Sequence, residues 1–268
     1  MLIANARMYT SAGPPAKAAW RNVLAWVTAH AGTPMDIIDH DPPALLADLW
    51  ARDDLGATIM CGLPHALRTP TPIVLAAAVP SPPAYGGKAV YFSYILVPAS
   101  SSASRIEDTF GGTVGYTLAD SMSGCVALRC LLERYRKPDR LQLYSKVVGN
   151  LIHVRGMIEA VGAGRVDVGS VDGYVFDLLQ RHAPAFTAQV RTIGTTELVP
   201  MPPFVATANL EAATVARLRE AFRAAGAAPE LASAREVLLL RGFDTPDPAA
   251  YDAFHGYQEC SERHAGVW

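Results

Sequence analysis

Short apolar runs alternate with amphipathic stretches along most of this chain, and that alternation is its strongest constraint. Ile3–Met8, Ala57–Cys61 and Ile73–Val79 are runs of strand length. Between the first two, Ala16–Ala29 spaces Trp20, Val23, Leu24 and Val27 along one helical face. Pro14 and Pro15 sit at its start, where a missing N–H costs little. Asp41-Pro-Pro opens a second helix, Ala44–Ala51. Strands separated by helices predict a mostly parallel sheet with helical cover over this stretch.

Ala89–Pro98 reads as one long strand, apolar on both faces and therefore enclosed on both sides. A second alternation follows. Strands are expected at Thr113–Tyr116, Leu141–Val148, Asp167–Val171 and Thr187–Ile193, with helices at Cys125–Arg136, Val154–Val161 and Tyr174–Arg181. The segment from Gly194 to Val205 is extended and punctuated by Pro200, Pro202 and Pro203. Thr214–Ala225 is a helix, Leu231–Leu240 carries both helical and strand signals, and Ala249–Ser261 is a short last helix. The expected fold class is α/β, one lobe interrupted by another, with two mixed sheets flanked by helices. Residues 1–97 plus 191–268 form the first lobe and 98–190 the inserted one. Two crossings between lobes predict a hinged cleft, a favoured place for a ligand.

Composition removes several classes. Half of the 268 residues are hydrophobic and 18% are charged, too apolar for a disordered chain. Lys plus Arg number 23 against 25 Asp plus Glu, a net charge of −2 that offers no basic footprint for nucleic acid. No apolar run reaches the roughly 18–20 residues of a membrane span, so no membrane insertion is expected. Met1–Ile3 is followed by Ala4, Asn5, Ala6, Arg7 and Met8, which is not the pattern of an export signal. The chain as written reads as cytoplasmic, with the periplasm as the alternative if a leader lies outside this sequence. Cys61, Cys125, Cys130 and Cys260 form no CxxC pair and read as reduced thiols. The chain has no GxSxG, GxxxxGK[ST], HExxH or EF-hand pattern, and its His show no metal-ligand spacing. No catalytic set, metal or cofactor is expected.

Three segments carry candidate chemistry. In Asp120-Ser121-Met122-Ser123-Gly124 a strand runs through a polar turn into a helix. Two hydroxyls at i and i+2, the first free N–H groups of the helix and its dipole can converge there on one anion. Gly124 permits close approach to the backbone. Plain N-capping by Ser121 or Ser123 is the competing explanation. His153 and Arg155 stand at the start of the next helix, where a guanidinium can grip an oxyanion. A capping His and a solvent-facing Arg are the alternative. Asp172 ends a strand and either contacts a ligand or caps the following helix. Tyr9, Tyr91 and Gly62 lie after or on strands of the first lobe and its crossover, and serve either as cleft wall or as core.

These segments come in a familiar order. Tyr91-Phe-Ser-Tyr-Ile-Leu-Val97, Phe110-Gly-Gly-Thr-Val-Gly115, Asp120-Ser-Met-Ser-Gly124, Ile158-Glu-Ala-Val161, Gly164–Asp172 and Leu198–Val205 succeed one another over residues 57–206. The chain resembles the phosphonate/phosphite-type substrate-binding proteins of ABC transporters, a branch of the type 2 periplasmic binding fold. The resemblance implies an oxyanion cradle at Ser121, Met122, Ser123 and Gly124, a cleft aromatic at Tyr91, and an acidic cleft position at Asp172 that meets an ammonium. His153 stands one residue further from Val161 than the family's helix-start His, and Arg155 is placed to take over its contact. The implied function is binding of a small phosphonate-, phosphite- or phosphate-like anion in the cleft, as monomer or dimer, with an ABC permease as partner. The alternatives are a soluble relative acting as a ligand sensor, or an enzyme of the same fold acting on a small phosphorylated or pyrimidine-type metabolite. In that enzyme His153 or His65 would serve as acid or base.

Overall fold

The first strand, β1 (Ile3–Asn5), is shorter than the apolar run around it. Asn5 ends it: its Oδ1 accepts the N–H of Arg7 at 2.8 Å and its Nδ2 donates to the Ile38 carbonyl at 2.8 Å. The chain therefore turns into one helical turn, α1 (Arg7–Thr10), where a continued strand is expected from the sequence. The computed structural model describes residues 1–42 and 44–268. Helix α2 spans Pro14–His30 and buries Trp20, Val23, Leu24 and Val27, the face that the periodicity predicts. Next come β2 (Asp36–Ile37), α3 (Leu46–Trp50), β3 (Leu55–Ile59), α4 (Gly62–Leu67) and β4 (Ile73–Pro80). The opening expected for the helix at 44–51 includes Pro43, which lies outside the described residues. Leu45 is still extended, so α3 begins at Leu46.

The single strand expected at Ala89–Pro98 is two, β5 (Val90–Tyr91) and β6 (Ser93–Pro98). They part at Phe92, whose carbonyl accepts the N–H of Gly173 at 2.9 Å. β7 (Thr113–Gly115) leads to a π-helical turn, Met122–Val126, that runs into α5 (Ala127–Leu132). β8 covers only Lys146–Val148. The N–H groups of Leu143 and Tyr144, expected in that strand, donate to the carbonyl of Trp268 at 2.6 and 2.9 Å. Then follow α6 (Val154–Gly162), β9 (Val168–Asp172), α7 (Gly173–His182), α8 (Pro184–Thr187), β10 (Val190–Thr195), β11 (Val199–Pro200) and β12 (Pro203–Ala206). After α9 (Ala212–Ala225), the ambiguous stretch resolves into α10 (Ala232–Val237) and β13 (Leu240–Asp244). The last helix is α11 (Ala253–Glu262).

The chain forms two units, Met1–Val90 with Pro200–Asp252, and Tyr91–Val199 with Ala253–Trp268. The first holds a six-stranded sheet in the order β13-β4-β12-β3-β1-β2. β1 runs parallel to β2 and β3, while β12 is antiparallel to β3 and β4, and β13 to β4. The sheet is mixed because the returning chain supplies β12 and β13. Its core centres on Trp20, whose ring lies 6.1 Å from Tyr9, 5.6 Å from Phe204 and 6.3 Å from Phe243.

The second unit holds a five-stranded sheet, β10-β6-β9-β7-β8. β7, β8 and β9 are parallel; β6 and β10 are antiparallel additions. Because residues 93–98 and 190–195 are strands of this sheet, the unit is wider than the 98–190 segment marked out from the sequence. The residues after Asp252 also pack here, not with the first unit. The Trp268 ring stacks on Tyr116 at 5.5 Å and lies under the Arg129 guanidinium at 4.7 Å. Val97, Val114, Leu128, Leu132 and Val168 fill the core beside it.

Candidate functional site

Three parallel strands of the second unit end at one edge, and the segments with candidate chemistry follow them. The loop after β7 leads to Ser121–Gly124, the loop after β8 to His153 and Arg155, and β9 ends in Asp172. Carboxyl edges of parallel strands are where open α/β sheets bind ligands. The loops are tied together. The N–H of Tyr116 donates to Val148 O (3.0 Å), that of Leu151 to Tyr116 O (3.3 Å) and that of Ile152 to Thr117 O (3.2 Å). Ser170 Oγ donates to Ser123 O at 2.8 Å, which fixes the turn to β9.

Only some of the polar groups of the turn are engaged within the fold. Ser121 Oγ accepts the N–H of Gly124 at 3.1 Å, so the capping role weighed for Ser121 is the one seen here. Ser121 O accepts from both Cys125 and Val126 at 3.0 Å, which makes the first turn π-helical and wider than an α turn. The N–H groups of Met122 and Ser123 precede any acceptor within the helix. The Ser123 hydroxyl, half-buried, has no hydrogen-bond partner among the described residues. Gly124 is required here, since a Cβ would collide with Thr117 Oγ1, and Thr117 N–H donates to Gly124 O at 3.1 Å. The Met122 side chain is fully buried and contributes only its backbone to the edge.

His153 caps α6, its Nδ1 accepting the N–H of Gly156 at 3.0 Å. That bond leaves the ring proton on Nε2, and the capping alternative holds for this residue. Gly156 can only be glycine, because a Cβ would collide with the Leu151 carbonyl. The loop before His153 carries Ile152 at φ 65°, a costly conformation for a β-branched residue. Strain of this kind collects where a loop is held for function. Arg155 is half-buried, and its guanidinium lies over the Phe186 ring at 4.2 Å. Asp172 is 4% exposed and caps α7, Oδ1 accepting Val175 N–H at 3.0 Å. Burial pushes its carboxyl up to about 7, against the pull of the Val175 and Tyr174 N–H groups.

The remaining expected residues are enclosed. Tyr9 is fully buried in the first unit and its hydroxyl donates to Met201 Sδ at 3.8 Å. Gly62 is buried in the first turn of α4, and Tyr91 is 1% exposed. His65, the other candidate acid or base, is buried with Nε2 donating to Pro72 O at 3.0 Å, and burial holds its pKa below the ordinary value. Two residues of the edge escape a reading of the sequence. Thr117 has no local signal, since only packing shows that it dictates Gly124. Ser170 had one: it lies two residues before Asp172, on the same face of a fully buried strand. Among the described residues no group of three or more His, Cys, Asp or Glu is placed to hold a metal ion. No helix among them is long and apolar enough to cross a membrane.

A family model described as ABC transporter, phosphonate, periplasmic substrate-binding protein matches residues 14–251. The chain is similar in structure to the binding-protein component of an ABC phosphonate transporter from Pseudomonas aeruginosa. The TM-score is 0.78 at 17% identity, over 100% of this chain and 90% of that one. It is also similar to PhnD1 from Prochlorococcus marinus, solved in complex with methylphosphonate, with TM-score 0.76, 14% identity, and 96% and 97% of the two chains covered. A third similar structure, a Xanthomonas citri protein solved bound to ATP, gives TM-score 0.66 at 18% identity over 98% and 97%. At these identities the likeness establishes the fold, that of the type 2 periplasmic binding proteins. No curated protein matches the chain.

Proposed function

Because the chain belongs to the ABC-transporter family of phosphonate periplasmic substrate-binding proteins, we propose that it holds a phosphonate-type oxyanion on the turn Ser121–Gly124. Proteins of this family bind small ligands and work with an ABC permease. In this reading the chain is the periplasmic receptor of such a system and catalyses nothing. The observation that carries it is the unmet set at the start of the π-helical turn. The Met122 and Ser123 N–H groups and the Ser123 hydroxyl all lack partners in the helix, at the carboxyl edge of three parallel strands. The helix dipole adds favourable potential for an anion there. The methylphosphonate seen in PhnD1 suggests the ligand class. Tyr9, Gly62, Tyr91, His153, Arg155 and Asp172 have structural partners of their own and are secondary to the turn.

Calorimetric titration with methylphosphonate, phosphite, phosphate, a sulfonate and a carboxylate tests the proposal. Ser123→Ala is the clean variant, because that hydroxyl has no hydrogen-bond partner among the described residues. Its loss is expected to weaken the preferred ligand about 10- to 100-fold, the worth of a hydrogen bond to a charged group. Ser121→Ala also removes a helix cap, so it is read only beside a stability measurement. Unchanged affinity for every ligand in Ser121→Ala/Ser123→Ala would overturn the assignment.

A further inference from the structure

Two of the four thiols meet at one place in the second unit. α5 and α11 pack on each other there, and the residues after α11 are laced to the same stretch of chain. Arg129 donates to Ser261 O at 2.9 Å and to His264 O at 2.7 Å, and Glu133 pairs with His264 Nδ1 at 3.0 Å. Cys130 lies among these ties, its Sγ donating to Tyr257 O at 3.5 Å. Cys260 follows Tyr257 by three residues, so the two share one face of α11. The Cys260 thiol is within hydrogen-bond reach of Cys130.

Both residues are half-buried, whereas Cys61 and Cys125 are only 6% and 3% exposed. Cys130 also lines an open recess with Leu131, Arg134, Thr196, Glu197 and Tyr257, all of the second unit. A small molecule in that recess touches the sulfur. Burial first, and then the neighbouring Cys260, push the Cys130 thiol well above its ordinary pKa. As thiols the two sulfurs offer each other only weak hydrogen bonds. Joined, they would close the long loop between α5 and the last helix, where a cross-link constrains the unfolded chain most.

We infer that Cys130 and Cys260 form a disulfide that fastens α11 to α5, made by exchange with an external disulfide. Proteins of this family are periplasmic, and in that compartment disulfides form and persist. One protein thiolate attacks the external disulfide, bonds to one of its sulfurs and expels the other as a thiolate. The second protein thiolate then attacks the protein sulfur of the mixed disulfide and expels the remaining external thiolate. The protein thiols give up two protons and two electrons. The external disulfide takes up both and leaves as two thiols.

For the test, the folded full-length chain is equilibrated with excess oxidised glutathione at pH 8, and a second sample is refolded from urea in the same buffer. Remaining thiols are alkylated in denaturant, and the chain is digested without reductant for mass spectrometry. The expected product is a single chain with two thiols fewer and one linked pair of peptides, carrying Cys130 and Cys260. Its thermal unfolding midpoint is expected about 5–15 °C above that of the reduced chain. Cys130→Ser and Cys260→Ser should each lack that rise and stop with one glutathione on the remaining thiol of the pair. A refolded sample in which both thiols are still alkylated overturns the assignment. So does a product in which each thiol carries its own glutathione, or in which the bond joins two chains. An internal disulfide formed by Cys260 in Cys130→Ser overturns it as well. None of these readouts involves a ligand, so this bond and the anion site at Ser121–Gly124 can each fail alone.

Discussion

Asp172 is asked to do two things that conflict. As the cap of α7 it needs a carboxylate oxygen facing the N–H groups of Tyr174 and Val175, which favours the ionised form. Enclosed at 4% exposure with Asp177 nearby, it is pushed the other way, to about 7. Burial wins, and the consequence for stability has a definite sign. The folded chain holds this proton more tightly than the unfolded chain, whose Asp titrates near 4. Stability contributed by the protonated form is complete below about pH 4 and is lost as pH rises to about 7. The loss is on the order of 4 kcal/mol at most, from a shift of roughly three units. Asp172→Asn keeps an acceptor for the cap and removes the titration. Urea unfolding between pH 4 and 8 should show this component flattened in the variant, which should also be the more stable protein above pH 7. An unchanged slope would mean that the carboxyl ionises freely in the fold.

At the scale of elements, Trp268 packs the last residues onto the second unit, beside the bonds that Arg129 donates to the Ser261 and His264 carbonyls and Arg136 to the Val267 carbonyl. Trp268 stacks on Tyr116 with an interplanar angle of 5°, lies under Arg129, and gives its carbonyl to Leu143 and Tyr144. Trp268→Ala removes the ring but not the carbonyl, and a cost of about 3 kcal/mol is expected for a buried Trp. Tyr116 also belongs to the loop pairing β7 with β8, so the variant should loosen the site edge as well as the core. The check is unfolding midpoint together with near-ultraviolet dichroism. This element also shows where sequence reading stops. Helices α2, α6, α7 and α9 were legible because periodicity is a local property. The strand expected at Leu141–Val148 was not, because a carbonyl more than a hundred residues away takes the N–H groups of Leu143 and Tyr144. The same is true at Phe92, where Gly173 intervenes. The Ser121–Gly124 turn was legible from its strand, hydroxyl, glycine and helix order. The helical turn at Arg7 was hidden inside an apolar run that Asn5 cuts short, and Thr117 acts only through packing.

At the scale of the molecule, neither unit is one continuous piece of chain. The sheet of the first unit is completed by β12, which inserts between β3 and β4 and pairs with both. All four of its residues are buried, and Phe204 packs on Trp20 and Phe222 at 5.6 and 4.7 Å. Residues 1–90 alone would thus leave the facing edges of β3 and β4 without partners in the middle of the sheet, and Trp20 without a wall. Central strands cannot be spared in this way, since their N–H and C=O groups would be both dehydrated and unpaired. A fragment of residues 1–90 is therefore expected to lack cooperative unfolding and to be cleaved rapidly by protease. Supplying residues 200–252 on a second chain should restore both, because β12, α9 and β13 arrive together. A fragment 1–90 that unfolds cooperatively by itself would show that β3 and β4 can close on each other, and that β12 is an insertion into a sheet already stable without it.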